Sequence, residues 1–228
     1  MVRHSMKKNI LVVVAHPDDE IIGCGGTLAR HYQNGDKITI IYMTDGVSSR
    51  GNCKKEKAAR KSMAEQVGEK LGATQYYFDY PDNQMDQTPL LKVVQSIESI
   101  SHKLTVDIVY THHGADLNID HRIVHQAVMT AYRPIPGKNI PNIYTFEVNS
   151  SSEWNTPNSS NCFMANYFVN ISDQITEKIA LLSCYQKEMP LYPHSRSIET
   201  IEALAKVRGS SVGVAFAEAF MLIRQVEQ

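Results

Sequence analysis

Residues 11 to 27 read Leu-Val-Val-Val-Ala-His-Pro-Asp-Asp-Glu-Ile-Ile-Gly-Cys-Gly-Gly-Thr. Four β-favouring apolar residues, Leu11 to Val14, predict a strand buried on both faces. They run straight into His16-Pro17-Asp18-Asp19-Glu20, then Ile21, Ile22 and a glycine cluster, Gly23, Gly25 and Gly26. One imidazole and three carboxylates therefore follow the carboxyl end of a buried strand, where open α/β sheets bind ligands. Burial gives no reason for four such side chains there. A neutral imidazole and a carboxylate three residues on can share a divalent cation of the zinc type. Pro17 stiffens the turn between them. Asp18 would point elsewhere, placed to take a proton from water. The competing reading is a helix N-terminus, which acidic residues favour through capping and the macrodipole. Capping does not explain His16.

Outward from this stretch the chain alternates strand and helix. Strands are expected at 37–44, 75–79 and 106–110, with helices at 27–34, 54–71, 89–103 and up to about Tyr132. The rhythm predicts a single-domain, Rossmann-like, doubly wound and mostly parallel sheet with helices on both faces. Residues 8–134 form its core, and 135–228 complete the same domain. Beyond Pro134 the expectations are strands at 143–148 and 167–170 and helices at 173–185 and 198–207. The stretch 214–223 is ambiguous. A Ser- and Asn-rich loop, 149–161, carries the chain's one tryptophan, Trp154, and is expected over the site.

The 228 residues are 43% hydrophobic and 21% charged, with a net formal charge of −1. This suits a globular protein and gives no footprint for nucleic acid or a membrane surface. No apolar run approaches a membrane span, and the start of the chain lacks the apolar segment of a secretory signal. Whether residues 1–5 are native is left open. Cys24, Cys53, Cys162 and Cys184 are widely spaced, which disfavours a zinc knot or a disulfide framework and fits a reducing, cytoplasmic setting. Cys24 reads as a buried small residue rather than a nucleophile.

His16 and Asp19 leave a catalytic zinc one protein ligand short. The loop after the 106–110 strand offers His112, His113, Asp116, Asp120, His121 and His125. His121 and His125 share a helix face, with His121 nearer the strand ends and His125 a packing residue. Asp120 is placed to orient an imidazole. Asn118 and Asp120 also read as helix caps, which leaves four histidines within residues 112–125 unexplained.

The run 15–20, the glycine-rich turn and the run 116–122 (Asp-Leu-Asn-Ile-Asp-His-Arg) resemble the PIG-L/LmbE-like family of zinc-dependent N-acetyl-sugar deacetylases. Thr44-Asp45-Gly46, Arg60 with Leu71-Gly72, and 107–112 extend the likeness to about residues 8–134, with a looser match beyond. The resemblance implies one Zn2+ per chain held by His16, Asp19 and His121, with Asp18 as general base. Asp120, for its place beside His121, and Asn118 join the catalytic group; Asn118 stands where the family commonly has a histidine that stabilises the oxyanion, and can donate a neutral hydrogen bond instead. His112, His113 and His194 are the alternative sources of that charge. Arg60 matches an arginine of the substrate site, and His194-Ser195-Arg196-Ser197 resembles one branch of the family, adding His194 and Arg196 as substrate-binding. The implied reaction releases acetate and an amino sugar from an N-acetylated sugar, free or nucleotide-linked, with homo-oligomerisation left open. The rival readings are a metal-dependent hydrolase of another amide or ester, and a non-catalytic sugar- or nucleotide-binding module. Gly23-x-Gly25-Gly26 lacks the full spacing of a phosphate loop, and carboxylates precede it.

Overall fold

A computed structural model describes residues 7–51, 54–156, 158 and 161–227. The expectations for residues 1–5 and for Cys53 fall outside these. Among the described residues, seven strands form one sheet: β1 (Asn9–Val14), β2 (Lys37–Thr44), β3 (Thr74–Tyr80), β4 (Ile108–His112), β5 (Asn142–Phe146), β6 (Tyr167–Asn170) and β7 (Ala217–Arg224), in the order β3-β2-β1-β4-β5-β7-β6. The first five run parallel, with Val12 beside Ile40 on one side and Tyr110 on the other. β7 is antiparallel to both β5 and β6. The sheet is thus the expected mostly parallel one, closed at one edge by two antiparallel strands.

Alternation along the strands makes two cores. Val12, Val14, Ile40, Tyr42 and Phe146 point to a layer with Ile22 and Leu28 of α1 (Asp19–Gln33), Val67 of α2 (Lys54–Lys70), Leu181 of α5 (Ile175–Leu182) and Ile201 of α6 (Ile198–Ser210). Leu11, Val13, Ile41 and Val109 point to the other, with Val93 and Ile97 of α3 (Leu90–Ser101) and Val124 and Val128 of α4 (Ile119–Ala131). Leu11 to Val14 have no exposed surface. At about 1.5–3 kcal/mol per buried aliphatic side chain, that explains why β1 holds nothing polar beyond Asn9 at its start.

Three expectations change. The helix placed at 27–34 begins at Asp19 and carries the glycine cluster inside it, broken at Cys24 (φ −144°, ψ 22°). The glycines serve close packing: a Cβ on Gly23 would enter the Phe146 ring. The 106–110 strand shifts to end at His112, which is fully buried. The ambiguous 214–223 stretch is strand β7, because it fills the gap between β5 and β6. Its approach from α6 is tight: a Cβ on Gly209 would lie 2.8 Å from the Phe216 backbone nitrogen and Val214 oxygen.

The chain leaves β1 in one direction to β2 and β3, then crosses back to β4. The carboxyl ends of β1 and β4 therefore flank the crevice where the connections diverge.

Candidate metal centre and active site

The turn after β1 places His16, Asp18, Asp19 and Glu20 around the start of α1, all buried. Asp18 has φ 122°, a backbone cost of roughly 1–3 kcal/mol for a residue with a side chain. Glu20 supports this turn. It accepts the Asp18 N–H at 2.9 Å and the hydroxyls of Tyr42 (3.0 Å) and Tyr185 (2.6 Å). Burial raises its carboxyl to about 7. Glu20 therefore faces the helical layer and does not line the cavity.

His16 and Asp19 meet His121 from the start of α4. His16 Nδ1 lies 3.0 Å from Asp19 Oδ2 and 3.2 Å from His121 Nε2, and Asp19 Oδ2 lies 3.3 Å from His121 Nε2. A tetrahedral zinc with bonds of about 2.0–2.1 Å spaces its ligands about 3.3 Å apart. Two imidazole nitrogens and a carboxylate oxygen so spaced, all buried, suit that ion in chemistry and in size. Burial alone would lower both imidazoles. Asp19 outweighs it, with Asp120 and Asp82 helping at His16 and Asp116 at His121, so His16 lies well above its ordinary value and His121 at about 9. Asp19 is held well below the carboxylate range, its burial outweighed by the two histidines.

The other nitrogen of His16, Nε2, lies 3.2 Å from both Asp82 Oδ1 and Asp120 Oδ2. Both carboxylates are themselves tied down. Asp120 accepts backbone N–H groups of Asn83 (2.6 Å) and Met85 (3.0 Å), and Asp82 accepts the Ser49 N–H at 3.1 Å. With a cation at Nδ1 displacing the proton there, such acceptors would hold the remaining proton on Nε2. Asp120, expected in the catalytic group, thus sits behind His16 and outside the cavity lining. Its main-chain partners, not a substrate, fix its carboxylate.

A cavity of about 340 Å3 opens above the three donors. His16, Asp18, Asp19, Asn118, His121, Arg60 and Arg196 all line it, together with Asp82, Arg50 and Trp154. Asp18 Oδ2 pairs with Arg60 at 2.9 Å and with Arg196, whereas Asp18 Oδ1 is buried with no partner. Arg60 is pinned from behind by Glu188 at 2.8 Å, which also takes Arg50 at 3.0 Å. The strand-end loops are thus more basic in space than in sequence, because Arg196 arrives from the loop before α6.

The alternative sources of oxyanion charge do not reach the cavity. His112 Nε2 accepts the Ala15 N–H at 2.9 Å, and burial holds its ring well below the ordinary histidine value. His113 bonds the Asn161 carbonyl. His194, expected to bind substrate, lies outside the lining: its Nδ1 accepts the Arg196 N–H at 3.0 Å and its ring packs on Trp154. It places Arg196 and does not itself face the cavity. Asn118 both caps α4, accepting the Asp120 N–H at 2.8 Å, and lines the cavity, with Nδ2 on Asn83 at 3.1 Å. His125 packs, its Nδ1 on the His112 carbonyl.

Sequence reasoning missed Asp82, Arg50 and Glu188. Asp82 follows β3, and the strand-end rule that marked His16 would have marked it. Nothing local marks Glu188, whose contribution depends on arginines more than 120 residues away.

Comparison with known proteins agrees with this arrangement. Residues 11–132 match the family PIG-L, described as GlcNAc-PI de-N-acetylase. An Escherichia coli protein described as an uncharacterized deacetylase, YaiS, is 32% identical over 184 residues, or 77% of this chain and 89% of its own length. The 4-oxalmesaconate hydratase of Pseudomonas putida is 28% identical over 213 residues, 82% of this chain and 77% of its own. The N,N'-diacetylchitobiose deacetylase of Pyrococcus horikoshii has the same fold, with a TM-score of 0.75 at 20% identity over 96% of this chain and 84% of its own.

Proposed function

The chain belongs to the PIG-L family of deacetylases, and on that premise we propose that it is a zinc-dependent hydrolase removing acetyl from an N-acetylated sugar or sugar conjugate. The observation that carries this reading is the triangle of His16, Asp19 and His121 donors beside an unpartnered carboxylate oxygen of Asp18. Zinc held by these three would supply Lewis-acid chemistry, acidifying water and polarising the acetyl carbonyl. Asp18 Oδ1 accepts the proton of the attacking water, while Arg60 and Arg196 hold Oδ2 and so fix which oxygen is free. Water oxygen bonds to the acetyl carbon, the C–N bond breaks, and the proton on Asp18 passes to the departing amine. Charge developing on the carbonyl oxygen has Asn118 and Arg196 as cavity-lining donors in place of a histidine. Trp154 supplies a flat apolar wall suited to a sugar ring.

We read 135–228 as part of the same domain, because β6 and β7 complete the sheet and Arg196 completes the cavity. No helix among the described residues is long and apolar enough to cross a membrane.

Three arginines in one cavity support a second reading, the addition of water to an unsaturated carboxylate, in line with the hydratase relative. The test is metal content per chain for wild type and His121→Ala, with acetate release from N-acetyl sugars, free and nucleotide-linked. Absorbance loss from conjugated carboxylates is followed in parallel. One zinc in wild type, lost in the variant, with acetate released, is the expected result. Absorbance loss with no acetate selects the hydratase, an absence of metal overturns the zinc deacetylase, and neither product overturns both.

A further inference from the structure

The loop after β5 forms the wall of the cavity opposite the donors, through Val148, Asn149, Ser150, Ser151 and Trp154. At its base Val148 packs in the core, and Asn149 Nδ2 and the Ser150 N–H bond the Ser195 carbonyl and hydroxyl. Beyond that the loop is tied to Asp116, a fully buried residue of the loop after β4. Ser151 Oγ and Ser152 Oγ both donate to the Asp116 carboxylate, the second at 2.7 Å, and the Asn118 N–H donates to it at 3.0 Å. Asn155 Nδ2 adds a bond to the neighbouring Ala115 carbonyl.

The same carboxylate reaches a metal donor. Asp116 Oδ1 lies 3.3 Å from His121 Nδ1, a buried nitrogen with no aligned hydrogen-bond partner of its own. His112 stacks on the His121 ring at 3.9 Å between centroids. Its Nε2 is already committed to Ala15, so it fixes the plane of the ring and not its proton. A neutral imidazole carries one proton on two nitrogens, and a carboxylate at one of them leaves the lone pair on the other.

We propose that Asp116 is a positioning residue: it keeps the His121 proton on Nδ1 and the Nε2 lone pair toward His16 and Asp19. Through Ser151 and Ser152 it also ties the substrate-facing loop to that donor. The inference rests on the metal reading above. It gives the 147–156 loop a second task. The loop that contacts substrate also sets the posture of a ligand, so metal occupancy and the order of the cavity wall are linked.

Trp154 is the chain's one tryptophan and sits on this loop, so its emission reports the wall directly. The experiment titrates zinc into chelator-stripped full-length protein against a competing chelator, following affinity and Trp154 emission together. Wild type is expected to bind zinc with a change in emission. Asp116→Asn is expected to bind about 10- to 100-fold more weakly, with the emission change lost. Wild-type affinity and response in Asp116→Asn overturn the proposal, as does a lowered melting temperature with unchanged affinity, the signature of a mere brace. So does zinc binding by wild type with no change at Trp154, which severs the loop from the donor. If Asp116→Asn does not fold, Ser151→Ala with Ser152→Ala decides, since it keeps the carboxylate. A smaller affinity loss with the emission change abolished supports the tie, and no change in either overturns it. A wild type that binds no zinc overturns the metal reading itself, which separates the two failures.

Discussion

Helix α1 touches two buried clusters of charge, and they differ in how completely their atoms are partnered. At its break, Lys178 and Glu218 pair at 2.6 Å, both buried. Lys178 also donates to the Ile22 carbonyl at 2.9 Å. Glu218 accepts the N–H groups of Gly26 (2.8 Å) and Thr27 (2.6 Å), which the break at Cys24 leaves free. Both charged groups there are partnered, and the neutral Thr27 hydroxyl beside them is what is left over. At the N-terminus of α1, by contrast, Asp18 Oδ1 and the Nδ1 atoms of His112 and His121 are buried without hydrogen-bond partners. A buried polar atom with no partner costs roughly 1–3 kcal/mol. One cluster closes its own hydrogen bonds and holds the fold together. The other leaves buried polar atoms unpaired beside the cavity that Asp18 and His121 line.

The contrast is broken most severely at Asp18. Asp18→Asn is expected to retain zinc and melting temperature while acetate release falls by roughly 100- to 10,000-fold. Normal turnover in that variant would remove Asp18 from the role of base. The second largest effect belongs to the closed cluster and runs the other way. Lys178→Met leaves Glu218 buried and unpaired and is expected to lose about 3–5 kcal/mol in chemical denaturation, with unchanged activity per folded molecule. Adding Glu218→Gln should recover part of that loss. Third, Arg196→Ala should lower kcat by about 10- to 100-fold through misplacement of Asp18. The loss is smaller than at Asp18 itself because Arg60 still holds Oδ2. A change confined to KM would make Arg196 a substrate contact alone.

The smallest effect is at the far end of α1. His31 bonds Asp36 at 2.7 Å and the Tyr110 hydroxyl at 3.1 Å, and burial holds its imidazole below the ordinary value. The unfolded chain therefore binds the His31 proton more readily than the native one. Stability is complete above the ordinary histidine value and declines as pH falls through it. His31→Gln should flatten the fall in melting temperature between pH 7 and pH 5.

The open cluster was largely legible in sequence because strand ends announce themselves. His16, Asp18 and Asp19 follow a run with no polar residue, and His121 follows another strand and opens a helix. The sheet was legible for the same reason, β2 and β6 to the residue. What escaped is what depends on distant pairing. Asp120 and His194 belong to the neighbourhood but face His16 and Trp154, because side-chain direction is decided by partners more than 35 residues away in sequence. The closed cluster left no trace either. Lys178 and Glu218 look like surface charges until α5 and β7 bring them together under α1. The glycines of α1 read as a loop because their packing partners, Phe146 and Ile171, lie more than 120 residues downstream.

The close approach at Gly209 has a mechanical reading. Helix α6 is a strut of 13 residues, about 20 Å long. One end rests backbone to backbone on the entry to β7, where one missing methyl sets the clearance. The other end starts two residues after Arg196. Neither surface at the Gly209 end is a flexible side chain that can give way, so Gly209→Ala would push the strut as a rigid body. The displacement would be felt a helix length away, at the guanidinium that grips Asp18. The aim of the proposed base is thereby gauged from the opposite end of the helix, by a residue that never meets the substrate.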